Sequence, residues 1–252
     1  MITYIVDIYF DYDRPNLILT PEWIRHRFEL FHKYTLRSLI NQRRNFENYW
    51  KSIEDFRIWI YCGQRNKELT RSLSWSPDVK ILYDFGKDAL SKIDTEFVAL
   101  TRMDSDDLMH YKAMEEIMSQ PVQESFLVFR KNLLWDRNNQ FIGYHERSFP
   151  PFTTRIYPKS VYKDWEVFQA RHHQKHGVES SRSFQIITEL SQHKICVVKH
   201  KENIGNIRRG LKPGILTPKQ IKGYIKKGKI FTDKPEKIKR ILEEFGVTYG
   251  ME

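Results

Sequence analysis

Apolar and polar positions along the chain follow two periods, and they change places several times. Residues 2–10 alternate and carry β-branched and aromatic side chains, which predicts a first strand, with Asp11-Tyr12-Asp13-Arg14-Pro15-Asn16 as the polar loop at its end. Thr20-Pro21-Glu22 has a capping threonine, a proline at the first helical position and an acid in the first turn. A helix follows, because Trp23, Ile24, Phe28, Phe31, Leu36, Leu39 and Ile40 recur at helical spacing to about Gln42. Phe56–Gly63 reads as a second strand, Asn66–Leu73 as a short helix and Val79–Tyr83 as a third strand. A fourth apolar run begins at Phe97 and ends in Arg102-Met103-Asp104-Ser105-Asp106-Asp107, after which a helical pattern runs from Leu108 to Met118.

The second half has a different rhythm. Ser125–Arg130 and Gln140–Tyr144 are strand-like, and Asp136-Arg137-Asn138-Asn139 between them is a turn signal, so a hairpin is expected. Helices are expected over Ser160–His173 and Arg182–Leu190, a strand over Lys194–His200, and short amphipathic helices over Pro218–Lys227 and Lys234–Phe245. Strands that alternate with helices predict an α/β fold with a mainly parallel sheet and helices on both faces. The expected division is a domain over residues 1–206 and a basic C-terminal extension, a small helical appendage, over 207–252.

Composition narrows the picture. The chain has 252 residues, 40% of them hydrophobic and 14% aromatic, enough to bury a full core in one large domain or a domain with a tail. No apolar run approaches the ~20 residues of a membrane span. Met1–Asp7 lacks a basic region followed by an apolar stretch, so no signal peptide is expected. Cys62 and Cys196 sit singly in apolar runs and read as buried, reduced thiols. These features predict a cytoplasmic protein. The formal charge of +10 is concentrated between Lys194 and Arg240. A positive surface favours anionic partners: nucleic acid, an anionic membrane face, or a phosphorylated substrate.

The chemistry centres on Asp104, Asp106 and Asp107. Carboxylates crowded at the end of a buried strand repel one another and are costly to desolvate, and a divalent cation removes both costs. Mg²⁺ or Mn²⁺ takes oxygen ligands, commonly one or two carboxylates plus substrate phosphates. The plainer reading is a solvated acidic turn with Asp106 or Asp107 capping the next helix. In parallel sheets ligands bind beyond the carboxyl ends of the strands, so the loops carrying Asp11 and Arg65 are expected on the same edge as Asp104. His200 ends a strand and precedes a basic loop containing Asn203. A neutral imidazole there suits a carboxylate metal site, and the loop suits a diphosphate. His172 and His176 share a helix face, but no glutamate or third ligand completes a zinc motif, and an exposed helix end is the better reading. The glycine-rich nucleotide loops and the Gly-x-Ser-x-Gly elbow are missing from the sequence.

Three stretches resemble one family. Phe31–Gln42 looks like the x-x-x-Ser-Leu-x-x-Gln helix of GT-A glycosyltransferases. Thr101-Arg102-Met103-Asp104-Ser105-Asp106-Asp107-Leu108 resembles the Thr-Arg-Leu-Asp-Asp-Asp-Asp signature of the rhamnosyltransferase group, with serine replacing one acid. Val198–Asn203 resembles its late His-x-x-Asn element. The resemblance covers roughly residues 1–206 and implies a GT-A-like, Rossmann-like fold. It implies a metal-dependent glycosyltransferase that moves a sugar from a nucleoside diphosphate sugar to an acceptor hydroxyl. A polysaccharide or lipid-linked acceptor is favoured, and modified DNA is the other option. Asp104, Asp106 and His200 would hold Mn²⁺ or Mg²⁺. Asp11, Arg65, Arg102, Asp104 and Asn203 would bind the donor. The catalytic base would come from Glu179 or Asp164, with Glu166 and His176 behind them. The basic tail would lie on the inner membrane face as a peripheral contact, or on nucleic acid. Two other readings stand beside this one: a nucleic-acid-binding protein acting through its basic C-terminal region, and a metal-dependent nucleotidyltransferase that uses paired carboxylates and releases pyrophosphate.

Overall fold

A computed structural model describes residues 1–11, 20–45, 56–84, 86–146, 152–172, 184–200 and 218–248. Among these residues the strands build two sheets. The larger has seven strands in the order β10-β6-β9-β4-β1-β2-β3 and the smaller has five in the order β12-β8-β7-β11-β5. In the larger sheet β1 (Ile2–Tyr9), β2 (Phe56–Tyr61), β3 (Val79–Leu82) and β4 (Phe97–Asp104) run parallel. Strand β9 (Thr153–Pro158) is antiparallel to both β4 and β6 (Ser125–Val128), and β10 (Ile187–Glu189) pairs parallel with β6. The fold is therefore mixed α/β with a mainly parallel larger sheet.

Helices cover both faces of that sheet, which is why β1 and β4 read as near-continuous apolar runs. Tyr4, Val6 and Ile8 of β1 face α1 (Pro21–Leu30), α2 (Leu36–Asn45) and α5 (Ala113–Met118), packing with Ile24, Leu36, Leu39, Met114 and Ile117. Ile5 lies on the other face, with Trp59 and Tyr61 of β2. That face is covered by α4 (Lys87–Ser91), α6 (Lys159–Tyr162) and α7 (Trp165–His172) through Leu90, Tyr162 and Phe168. A further short helix, α3 (Lys67–Ser72), follows β2. Thr20 caps α1 as expected, accepting a hydrogen bond from Trp23 N at 3.2 Å. Between α1 and α2 the helix widens into a single π turn over Phe31–Thr35. Cys62 and Cys196 are free and buried.

Several local expectations are corrected. Leu108–Met118 is not one helix: Leu108–Met109 form β5, which pairs antiparallel with β11 (Ile195–Lys199), and the helix begins only at Ala113. A short apolar run has no period of its own, and pairing with a distant strand decides its state. The hairpin is made by β7 (Lys131–Asp136) and β8 (Phe141–Glu146). Its turn is stabilised by Asp136 Oδ1, which accepts from Asn138 N and Asn139 N, while β6 leaves for the larger sheet. The Arg182–Leu190 stretch is not helical in its described part, where β10 lies. Ser160–His173 divides into α6 and α7 because Asp164 Oδ1 accepts from Glu166 N and Val167 N and starts a new helix. Strand β9, with Arg155 buried in it, had no clear apolar alternation to announce it.

Residues 230–247 pack onto the smaller sheet and the first helical segment. The helix α8 (Pro218–Lys226) leads to β12 (Ile230–Thr232), which pairs with β8. The next helix, α9 (Pro235–Glu244), buries Ile238 and Leu242. With Phe245 and Val247 they join Leu30 and Tyr34 near the start of the chain and Leu108, Leu133 and Trp135 of the smaller sheet. Tyr111 N donates to Glu244 O at 3.1 Å. Gly246 closes the helix at φ +73°, and a Cβ there would sit 2.9 Å from Asn41 Cβ, so both the backbone and the space require glycine. No helix among the described residues is long and apolar enough to cross a membrane.

Leu242 is fully buried in a core shared by both ends of the chain. Leu242→Ala should cost about 2–5 kcal/mol, and urea unfolding followed by tryptophan fluorescence should remain a single transition at a lower midpoint.

Candidate active site at the carboxyl edge of the parallel strands

Strands β1 and β4 end together, with Tyr9 opposite Asp104. Just beyond β1, Asp11 turns its buried carboxylate toward the end of β2, and Oδ1 accepts from Gly63 N at 2.8 Å. Arg102, one pleat back from Asp104 on the same face of β4, lies over the Tyr9 ring, 5.1 Å from its centroid. Its Nη2 is 3.8 Å from Asp104 Oδ1. The Asp104 side chain is 40% exposed. It is the open carboxylate of the acidic turn.

The turn is where the chain passes from the larger sheet to the smaller one. Asp107 N donates to Asp104 O (3.2 Å), and β5 begins at the next residue. Three other elements hold it in place. From α1, Arg27 donates through Nε to Ser105 Oγ (2.7 Å) and through Nη1 and Nη2 to both oxygens of Asp106 (2.5 and 2.8 Å). From the end of β11, His200 Nε2 donates to Asp106 Oδ2 (2.8 Å), and Val198 N donates to Asp107 Oδ1 (2.8 Å). From α2, Ser38 Oγ accepts from Met109 N (3.1 Å), while Gln42 Nε2 donates to Met109 O and His110 O (3.1 and 2.8 Å). The Ser-Leu-x-x-Gln pattern of that helix thus fastens β5 to α2.

Burial and charge separate the carboxyl groups. Burial works against ionisation of Asp106, but the Arg27 charge and the His200 hydrogen bond outweigh it and lower its pKa below the usual carboxylate range. Asp107 is raised well above that range, first by burial and then by the charges of Asp106 and Asp104, against which the Val198 N–H pulls only partly. One buried acid is thus matched by a cation in direct contact, while its neighbour has the Val198 N–H and the smaller pull of the Arg27 charge against burial and the surrounding carboxylates.

The structure gathers Asp11, Arg102, Asp104, Asp106 and His200 at this edge. Arg65 is exposed in the single 3₁₀ turn Gln64–Asn66 that follows the end of β2. Asp164 is elsewhere. It follows α6, whose first residue, Lys159, donates through its backbone N to Glu96 O at the opposite end of β4, about 25 Å from Asp104 by strand length. There it caps α7, as described above. Glu166 is an exposed first-turn residue of α7. Glu179, His176 and Asn203 lie outside the described residues. His172 is not at an exposed helix end: it is buried, with Nε2 3.5 Å from Oδ2 of the buried Asp7, and burial lowers its pKa. Among the described residues no group of three or more His, Cys, Asp and Glu side chains is arranged to hold a metal ion.

Arg27 was missed by the sequence reading, yet it left a signal. Trp23, Ile24, Leu30, Phe31 and Tyr34 are the buried stripe of the first helix, and Arg27 falls on that stripe. A charge at an apolar position of an amphipathic helix asks for a buried partner.

No family model matches the chain, and no curated protein matches it. Solved structures with some likeness include Rv0371c from Mycobacterium tuberculosis H37Rv, at 13% identity and TM-score 0.36 over 83% of this chain and 98% of that one. The inositol-1-phosphate CTP transferase from T. maritima follows at 11% identity and TM-score 0.34, over 85% and 98% of the two chains. The bifunctional IspDF from Campylobacter jejuni has 10% identity and TM-score 0.33, over 92% and 56%. At these TM-scores the likenesses carry no argument about function. The expected membership of the rhamnosyltransferase group, and with it glycosyl transfer, is corrected: no family model and no curated protein supports it.

The two buried acids predict opposite pH effects. A lowered pKa gives Asp106 a stabilising contribution that is present at neutral pH and is lost as pH falls through its folded-state value. A raised pKa means that Asp107 favours the fold when protonated, a contribution lost as pH rises from its unfolded-state value, about 3.9, toward the folded one. Asp107→Asn keeps the acceptor for Val198 N and removes the charge. It should raise Tm by a few degrees at neutral pH and change it little below about pH 4, as followed by circular dichroism.

Proposed function

We propose that this chain is a nucleotidyltransferase. In the reaction, an oxygen of a phosphorylated acceptor attacks the α-phosphorus of a nucleoside triphosphate. The bond from that phosphorus to the α–β bridging oxygen breaks, and pyrophosphate leaves with the electron pair. The observation that carries this reading is Asp104: an open carboxylate at the carboxyl edge of a parallel sheet, beside Arg102, on a turn fastened by Arg27, His200 and Val198.

The chemistry asks little covalent work of the protein, since phosphoryl-type transfer is catalysed mainly by positioning and charge. A phosphate nucleophile is already ionised at neutral pH, so the step needs no base at this edge. Asp164 lies at the far end of β4 and is occupied in capping a helix. The net charge of +10 suits anionic substrates on both sides of the reaction. Arg102, with Nη2 3.8 Å from Asp104 Oδ1, would orient a phosphate against that carboxylate.

The described residues do not form a resident metal cage. They fit a Mg²⁺ or Mn²⁺ ion that arrives on the triphosphate, because such ions are commonly held by one or two carboxylates plus substrate phosphates. Asp104 would be the protein ligand. When bound, the ion would neutralise charge on the phosphate oxygens and on the departing pyrophosphate.

The test supplies each of the four common nucleoside triphosphates with a panel of sugar and polyol phosphates and Mg²⁺, and measures pyrophosphate. Pyrophosphate should be released with one nucleotide, and Asp104→Asn should lower the rate by about 10²-fold or more with Tm nearly unchanged. Release of a nucleoside diphosphate in place of pyrophosphate, or an unaltered rate in Asp104→Asn, would overturn the reading.

A further inference from the structure

Asp106 and His200 are a carboxylate and an imidazole 2.8 Å apart in a buried acidic turn, the donor types that suit Mn²⁺. Their surroundings say otherwise. A carboxylate offers about four lone-pair directions. Arg27 occupies one on each oxygen of Asp106, and His200 takes another on Oδ2. The guanidinium is itself held by Ser105 Oγ and lies over the Trp23 ring at 5.6 Å, with only 7% of its side chain exposed.

A divalent ion entering between Asp106 and His200 would have to displace that guanidinium. Arginine cannot shed its proton in a protein, so it would be left as a second, unpaired cation beside the metal. At low effective dielectric this like-charge contact is far more costly than in water. The imidazole would also have to turn from donating a proton to Asp106 to giving a lone pair to the ion.

We infer that Arg27 is the resident cation of this site, and that the Asp106–His200 pair is closed to divalent metal while Arg27 is in place. Arg27 is then a positioning residue: it neutralises Asp106 and fixes the turn that presents Asp104. The inference does not rest on the proposed reaction, and its test uses no nucleotide.

Mn²⁺ binding to the full chain is followed by the electron paramagnetic resonance signal of free Mn²⁺, with binding sites assigned by variants. The unmodified chain should bind no Mn²⁺ that His200→Ala removes. Arg27→Met leaves the buried carboxylate and imidazole without the guanidinium, and it should bind Mn²⁺ roughly tenfold more tightly or better, since the neighbouring like charge is gone. That gained site should vanish in Arg27→Met combined with His200→Ala. A purely structural role for Arg27 would lower Tm without creating a metal site. Should Arg27→Met fail to fold, the unmodified chain and His200→Ala decide alone. Mn²⁺ held by the unmodified chain and lost in His200→Ala overturns the inference; no binding, or binding equal in both, upholds it. Pyrophosphate release is scored separately, so the failure of one proposal is distinguishable from the failure of the other.

Discussion

A buried ion pair ties the molecule together. Arg27 comes from the first helix, Asp106 from the turn that ends the fourth strand, and His200 from the end of a strand about ninety residues later. Removing either charged partner of such a pair would leave an uncompensated buried charge, a cost of about 3–5 kcal/mol in comparable cases. The pair is formed where the larger sheet hands the chain to the smaller one, so its geometry fixes the relation between the two sheets. Asp104 gains its place from this arrangement, since it begins the turn that the other residues fasten.

Much of the larger sheet was legible in the sequence because its signals are local. Strands β1 to β4 alternate with helical segments, and Thr20-Pro21-Glu22 starts a helix by chemistry that needs no tertiary partner. The acidic turn was legible as a candidate site for the same reason: three carboxylates within four residues at the end of an apolar run are visible without a structure. His200 was brought to that turn, as its place at a strand end suggested.

What could not be read depended on distant partners. Leu108 and Met109 become a strand only because Ile195 and Cys196 lie beside them. Ile187–Glu189 becomes a strand because β6 supplies an edge. The amphipathic helix over Lys234–Phe245 was legible, but not what its apolar face meets: Ile238, Leu242, Phe245 and Val247 complete a core begun at Leu30 and Tyr34. The resemblance to a glycosyltransferase motif rested on residue types in a row. The structure gives two of those types, Ser38 and Gln42, backbone hydrogen bonds to make across an element boundary, a task that many chemistries would share.

The pairing of residues 27, 106 and 200 also has a kinetic meaning. Each contact closes a loop of more than seventy residues, and contacts of large sequence separation form slowly because their entropy must be lost before they give anything back. On a ribosome the acidic turn would emerge long before β11, and α9 would emerge later still. Until then Asp106 has only half of its partners, and the smaller sheet lacks the strand that joins β5 to β7. The edge that holds Asp104 is therefore completed late in folding, so the assembly of distant parts of the chain is registered in the turn that presents that carboxylate.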